Sequence, residues 1–177
     1  MEDGYAALTT RGVSERAGVS QGAQQHYFPT KTALVQAAIG RVAPQLIPLL
    51  IGGADPGVGE RERVEILLDR MWEIHQLPVT RAAYELYNAA RTDPELAAGI
   101  ASAHNQAAAL TKAAAAEVVP ELATLPGFAD WVLVALSTLR GAAFVSAIPG
   151  TAAGLADWLT TRTHLLYSLD RLTAEAR

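Results

Sequence analysis

Cysteine is absent from this 177-residue sequence, which excludes a disulfide framework and any thiolate-held metal. Charge is scarce as well: Asp, Glu, Lys and Arg make up 18% of the residues and leave a net charge of −4. That balance excludes a protein that coats nucleic acid through bulk positive charge. Aromatics reach only 6%, and alternating β-branched and aromatic runs are missing, which removes strands and any phosphate loop carried on a strand. The first residues lack the basic and apolar regions of a secretory signal. The longest apolar run, 131–148, contains Ser137, Thr138, Arg140 and Ser146 and is too short and too polar for a bilayer span. These absences set the expectation of a cytoplasmic protein with no membrane span, no metal and no cofactor.

What remains is rich in helix formers. Half the residues are hydrophobic, and Ala, Leu, Glu, Gln and Arg dominate, so the expected fold is all-α. Prolines and glycines mark the joints. In "YFPTK", Pro29 disfavours helix at Phe28 and Thr30 can cap a helix from Lys31. That helix is expected to run to about Arg41, or as far as Leu50, with Pro44 and Pro48 kinking or ending it. Further helices are expected over 60–76, 79–92, 95–119, 131–148 and 153–172, with "GGADPGVG", "TDPEL", "LPGF" and "PGTAAG" between them.

The best-marked stretch lies near the start, in "LTTRGVSERAGVSQGAQQHYFPTK" (8–31). Thr9 or Thr10 can cap a helix over 11–17, Gly18 supplies a tight turn, Val19 an apolar plug, and Ser20 caps a second helix over 21–27. A helix, a short turn with glycine and a second helix form the helix-turn-helix pattern, whose second helix enters the major groove. The second helix is nearly free of aliphatic side chains. Gln21, Gly22, Gln25 and His26 share a face: glutamine can read adenine through two hydrogen bonds, and glycine permits close backbone approach. Ala23 and Tyr27 point more nearly toward the first helix. Thr9, Thr10, Tyr27 and Lys31, with Arg11 beside them, are placed to meet phosphates. The same pattern also fits any αα-corner with a polar face.

The stretch "GYAALTTRGVSERAGVSQGAQQHYFPTKTALVQAA" resembles the DNA-binding signature of the tetracycline-repressor (TetR) family. Gly4-Tyr5, Thr9-Thr10, Ala17-Gly18-Val19-Ser20, Gly22-Ala23, Phe28-Pro29, Lys31 and Leu34 carry the match, in order and without a gap. "ELYNAARTDPELAAGI" (85–100) is similar to a stretch found in one branch of that family. The resemblance implies an all-helical homodimer with an N-terminal helix-turn-helix head and a helical body. That body would bind a small molecule and dimerise through its last two long helices. Two departures stand out. Only Met1, Glu2 and Asp3 precede Gly4, so the family's first helix is expected to be incomplete here or to begin upstream. Gln24 and Gln25 stand where apolar and aromatic residues are common, so Gln24 is expected to be partly buried and in need of a partner.

The division follows: 1–41 as the DNA-binding head, 42–177 as the ligand-binding and dimerisation body. In the body, Trp72, His75, Tyr84, Tyr87, Asn88, His104, Trp131 and Phe144 form a mostly apolar set with a few polar tips, the usual composition of a small-molecule site; core packing explains any one of them equally well. His75 and His104 lack partners at zinc-ligand spacing. The expected function is a ligand-responsive transcriptional regulator, most simply a repressor released by a small molecule, with a double-stranded DNA operator as partner. No enzyme is expected. The competing reading is a helical small-molecule-binding dimer or enzyme whose head no longer binds DNA. The subunit contact is expected through 131–148 and 153–172, where Leu155, Trp158, Leu159, Leu165, Leu166, Leu169 and Leu172 recur at helical spacing beside the small residues Gly141, Ala142 and Ala143.

Overall fold

The computed structural model describes residues 5, 7–52 and 57–176; the expectation of an incomplete first helix falls on residues 1–4, outside them. Among the described residues there are eight α-helices, two short 3-10 turns and no strand. The helix starts follow local chemistry. α1 (Thr10–Ala17) is capped by Thr9, whose hydroxyl accepts from Gly12 N at 3.1 Å. It ends at Gly18 in the left-handed region, φ 67°, where a side chain is strained. α2 (Gln21–Tyr27) begins at Ser20, which accepts from Ala23 N at 3.1 Å, and α3 (Lys31–Ile51) at Thr30, which accepts from Ala33 N at 3.0 Å.

α4 (Glu60–Gln76) and α5 (Pro78–Ala90) follow, then α6 (Pro94–Val118), capped by Asp93. After a 3-10 turn over Leu122–Thr124, α7 (Phe128–Ser146) begins; a second turn, Ala152–Gly154, leads to α8 (Trp158–Glu175).

Two elements differ from expectation, and α3 takes the longer of its two expected lengths. α3 is one continuous helix through Pro44 and Pro48. Both prolines are exposed, so the carbonyls whose partners they remove, on Gly40 and Pro44, lie on a solvated flank. α7 begins three residues early, directly after Gly127. α8 begins at Trp158, not near Ala153, because Asp157 supplies its cap, accepting from Thr160 N at 2.7 Å.

α4 lies centrally, against α3, α5, α6, α7 and α8, while α6 runs along α3 and α5. The main core joins Val64, Leu67, Leu68 and Met71 of α4 to Val132, Ala135 and Leu139 of α7 and to Leu165, Leu166 and Leu169 of α8. A separate cluster of Val35, Leu86, Leu96 and Ile100, with Tyr5, Leu8 and Ile39 packed on it, joins the head to the body. α3 and α7 are long and apolar enough to cross a bilayer by length and composition; here α7 supplies core side chains on one face.

α8 is fastened to its neighbours by polar contacts as well. Asp69 accepts from the Trp158 indole at 2.7 Å and from Arg162 at 2.6 Å, and Trp131 donates to Leu165 O at 3.1 Å and Ser168 Oγ at 3.0 Å. Leu165, Leu166 and Leu169, expected at a subunit contact, are therefore committed to their own chain. The face of α7 and α8 left open carries Val134, Leu159 and Tyr167, 57%, 63% and 66% exposed.

Candidate nucleic-acid interface and effector cavity

In the head, the two helices meet around small and polar groups. Ser14 and Gln24 are buried between them; Ser14 Oγ donates to Thr10 O at 3.0 Å, and Gln24 Nε2 donates to Phe28 O at 2.9 Å. The glutamine at 24 thus ties down the C-terminal end of its own helix. Gln21, Gly22, Gln25 and His26 are all exposed. A Cβ placed on Gly22 would meet nothing within 4 Å, so no contact inside the chain requires glycine there. In a solvated helix it costs about 1 kcal/mol relative to alanine, and close approach of an external surface gives it a use.

Several expected side chains are placed otherwise. Tyr27 is 75% exposed and Val19 49%; Ala23 is exposed too, so none of the three is packed away against α1. The Tyr27 ring stands edge-on to His26, centroids 5.3 Å apart. Thr9 accepts the capping bond of α1, which leaves its O–H able to donate to a phosphate, and Thr10 follows it. Arg11 pairs with Glu15 at 2.9 Å on the surface, a contact weak enough to exchange for a phosphate. Lys31 donates to Tyr5 O at 2.8 Å and sits over the Tyr5 ring at 4.0 Å, so its charge is already engaged within the head. Ser20→Ala should lower stability by about 1 kcal/mol, because α2 loses its side-chain N-cap; a urea titration reads this.

The body holds a partly open cavity of about 110 Å³ between α3, α4, α5, α6 and α7, walled by Ile39, Val42, Leu46 and Ile47 of α3 and Met71 and Ile74 of α4. His75, Tyr84 and Tyr87 line it, with Thr80, Thr111, Leu136 and Arg140. A wider outer space of about 370 Å³ shares Tyr84, Tyr87 and Arg140 and adds Asn88, Arg91, Gly141 and Phe144.

Of the sequence candidates, His104 stands beside this set, its Nδ1 within 3.1 Å of the Tyr87 hydroxyl and 3.2 Å of Arg140. Trp72 and Trp131 do not line either space. Trp72 stacks on Trp158 at 5.2 Å with rings nearly parallel, and Trp131 is in the main core. Both are explained by helix packing, which shows the same apolar periodicity as a pocket. Sequence reasoning missed Arg140 and the α3 wall; the one signal for Arg140 was its interruption of the apolar run.

The electrostatics favour neutral histidines. His75 is buried and its Nδ1 donates to Met71 O at 2.6 Å. Burial, reinforced by the Arg140 charge, lowers its pKa against the pull of that hydrogen bond. Burial and then Arg140 lower His104 in the same direction. Burial pushes the Tyr84 phenol up to about 12, and its buried oxygen has no hydrogen-bond partner. Among the described residues no three His, Asp or Glu side chains gather to hold a metal ion.

Residues 1–38 match the family model described as "Bacterial regulatory proteins, tetR family". Over 45 residues, 25% of the chain, the sequence is 42% identical to the nucleoid occlusion factor SlmA of Actinobacillus pleuropneumoniae serotype 5b and, equally, of serotype 3. The matched part spans only 22% of the length of these curated relatives. Among solved structures, Salmonella enterica GusR superposes with a TM-score of 0.66 at 20% identity, covering 97% of this chain and 87% of that one. A transcriptional regulator from Rhodococcus sp. Rha1 superposes at 0.62 with 22% identity, covering 99% and 88%.

Proposed function

We propose, from the match of residues 1–38 to the model of the tetR family of bacterial regulatory proteins, that the chain is a homodimeric DNA-binding transcriptional regulator of that family, a repressor that a small molecule releases. The observation that carries this reading is α3. Its first turns hold Lys31, bonded to the head at Tyr5, and Gln36, bonded to Glu95 O at 2.8 Å; its later turns wall the cavity. The boundary between a head of 1–41 and a body of 42–177 falls inside this one helix, so a change in the cavity wall reaches the head without crossing a linker.

Recognition belongs to the exposed face of α2. Gln21 and Gln25 read base edges, Gly22 allows the approach, and His26 and Tyr27 flank it, while Thr9, Thr10 and Arg11 meet phosphates at the start of α1. Two such heads bind together when their reading helices sit about one turn of DNA apart, roughly 34 Å. The effector acts by favouring a spacing that does not fit, and it does so only as far as it binds that state more tightly.

Fluorescence anisotropy with DNA from upstream of the protein's own gene tests the reading. Specific binding over scrambled DNA is expected, and Gln25→Ala should remove about 1–3 kcal/mol of discrimination at one base position. Equal binding to both DNAs would instead favour a small-molecule-binding dimer whose head has no operator.

A further inference from the structure

We propose that the effector is a small monocarboxylic acid, its carboxylate held by Arg140 with the Tyr84 and Tyr87 hydroxyls and its apolar body filling the inner cavity. This rests on the cavity being the effector site of the regulator described above. Three observations converge on it.

The first is charge. Neither space is lined by an aspartate or glutamate. Arg61, Arg63 and Arg162 each pair with a carboxylate, but among the described residues none pairs with Arg140. Its contact is a neutral imidazole. A guanidinium facing an apolar cavity without a counter-ion favours an anionic guest, and its planar fork fits a carboxylate through two parallel hydrogen bonds.

The second is an imbalance of donors. Arg140 can only donate, so His104 Nδ1 must accept and carries its proton on Nε2. That single lone pair also faces the Tyr87 hydroxyl at 3.1 Å. Tyr84 adds a third donor, its buried oxygen having no partner at all. Two donors thus converge on the one His104 lone pair, and the unpartnered Tyr84 hydroxyl lines the same space. A carboxylate offers about four lone-pair directions and satisfies all of them; an amide or alcohol of the same shape brings fewer acceptors and a donor of its own.

The third is size. The inner cavity, about 110 Å³, is somewhat smaller than the roughly 150 Å³ cavity that accommodates benzene in an engineered protein core. It therefore takes no more than a short aliphatic chain or part of one ring, and the remainder of the acid lies toward the wider outer space that shares Tyr84, Tyr87 and Arg140.

Isothermal titration of the full chain with benzoate, hexanoate, benzamide and hexanamide decides the matter. Benzoate or hexanoate should bind at least tenfold more tightly than its amide. Arg140→Gln should abolish that preference, and Tyr84→Phe, which removes only an unpartnered hydroxyl and should leave the fold intact, should weaken the acid several-fold and the amide little. An amide that binds as well as its acid, a preference that survives Arg140→Gln, or no binding by any of the four overturns the proposal. Anisotropy with the upstream DNA separates the two readings. An acid that binds with the expected preference yet leaves DNA affinity unchanged keeps the carboxylate site and removes its regulatory role. An amide that matches its acid in binding and also releases DNA does the reverse.

Discussion

Val134→Asp combined with Tyr167→Asp should leave a folded monomer at micromolar concentration and weaken operator binding by about 10²–10⁴-fold. Val134 on α7 and Tyr167 on α8 are 57% and 66% exposed, so neither change removes a contact within the chain's own core. Val134 lies on a stripe with Thr138, Gly141 and Val145, and a Cβ added at Gly141 would meet nothing within 4 Å. A second helix can therefore lie close against this stripe. Leu159 and Tyr167, with Thr163 between them, continue the open surface on α8. Two aspartates per subunit bring like charges together across a two-fold axis, where their desolvation is unfavourable too.

The loss in DNA affinity follows from linkage: two heads on one body bind as an intramolecular pair, and separated heads forfeit that effective concentration. Leu166→Glu would not serve, because Leu166 is only 6% exposed and packs in its own core; that variant should unfold. Sedimentation velocity and circular dichroism report the state directly. A wild-type chain already monomeric at micromolar concentration, or a double variant that remains dimeric, would remove this contact.

Leu68→Ala should lower the free energy of unfolding by about 2–5 kcal/mol, the range for a fully buried leucine whose site cannot collapse. Leu68 has no exposed surface, and it belongs to the core in which α4, α7 and α8 meet. The neighbouring positions Val64, Leu67 and Val132 are at most 1% exposed, so little can move inward to refill the space. Leu49→Ala, at a position 55% exposed, should change stability by less than about 0.5 kcal/mol. Urea titrations at one fixed protein concentration give both values; comparable losses would mean that the core does not dominate stability at α4.

Legibility from sequence followed the range of the physics. Caps are local, so Ser20, Thr30 and Asp93 could be named from their neighbours alone and Thr9 as one of two candidates with Thr10, and each accepts a backbone hydrogen bond at its helix start. The start of α8 was missed because Asp157, which caps it, lies beyond earlier turn residues that looked equally able to begin a helix; the indole of Trp158 bonded to Asp69 adds a tertiary anchor at the same point. Whether the two prolines of α3 kink the helix or end it was left open, since a sequence does not show that the flank they occupy faces water. In the body, Tyr84 and Tyr87 were legible as amphipathic side chains. The convergence of Tyr87, His104 and Arg140 was not, because residues 36 apart meet only after α6 and α7 have packed. Trp72 and Trp131 illustrate the converse: an aromatic at helical spacing looks the same whether it lines a cavity or stacks in a core.

In mechanical terms, α3 is a lever with a flexure built into one end. Its 21 residues make a rod of about 30 Å. Two rungs of its hydrogen-bond ladder are missing on a single flank, at the Gly40 and Pro44 carbonyls. Bending stiffness is therefore lowest over 40–48, the turns that place Val42, Ala43, Leu46 and Ile47 along the cavity. From Pro44 to Lys31 the arm is about 20 Å. A tilt of about 6° at the flexure would then move the head by about 2 Å, and in the proposed dimer two heads moving oppositely would change their separation by about 4 Å against a DNA repeat of roughly 34 Å. The prolines thus concentrate compliance beside the cavity, leaving the arm that carries the head to move as one piece.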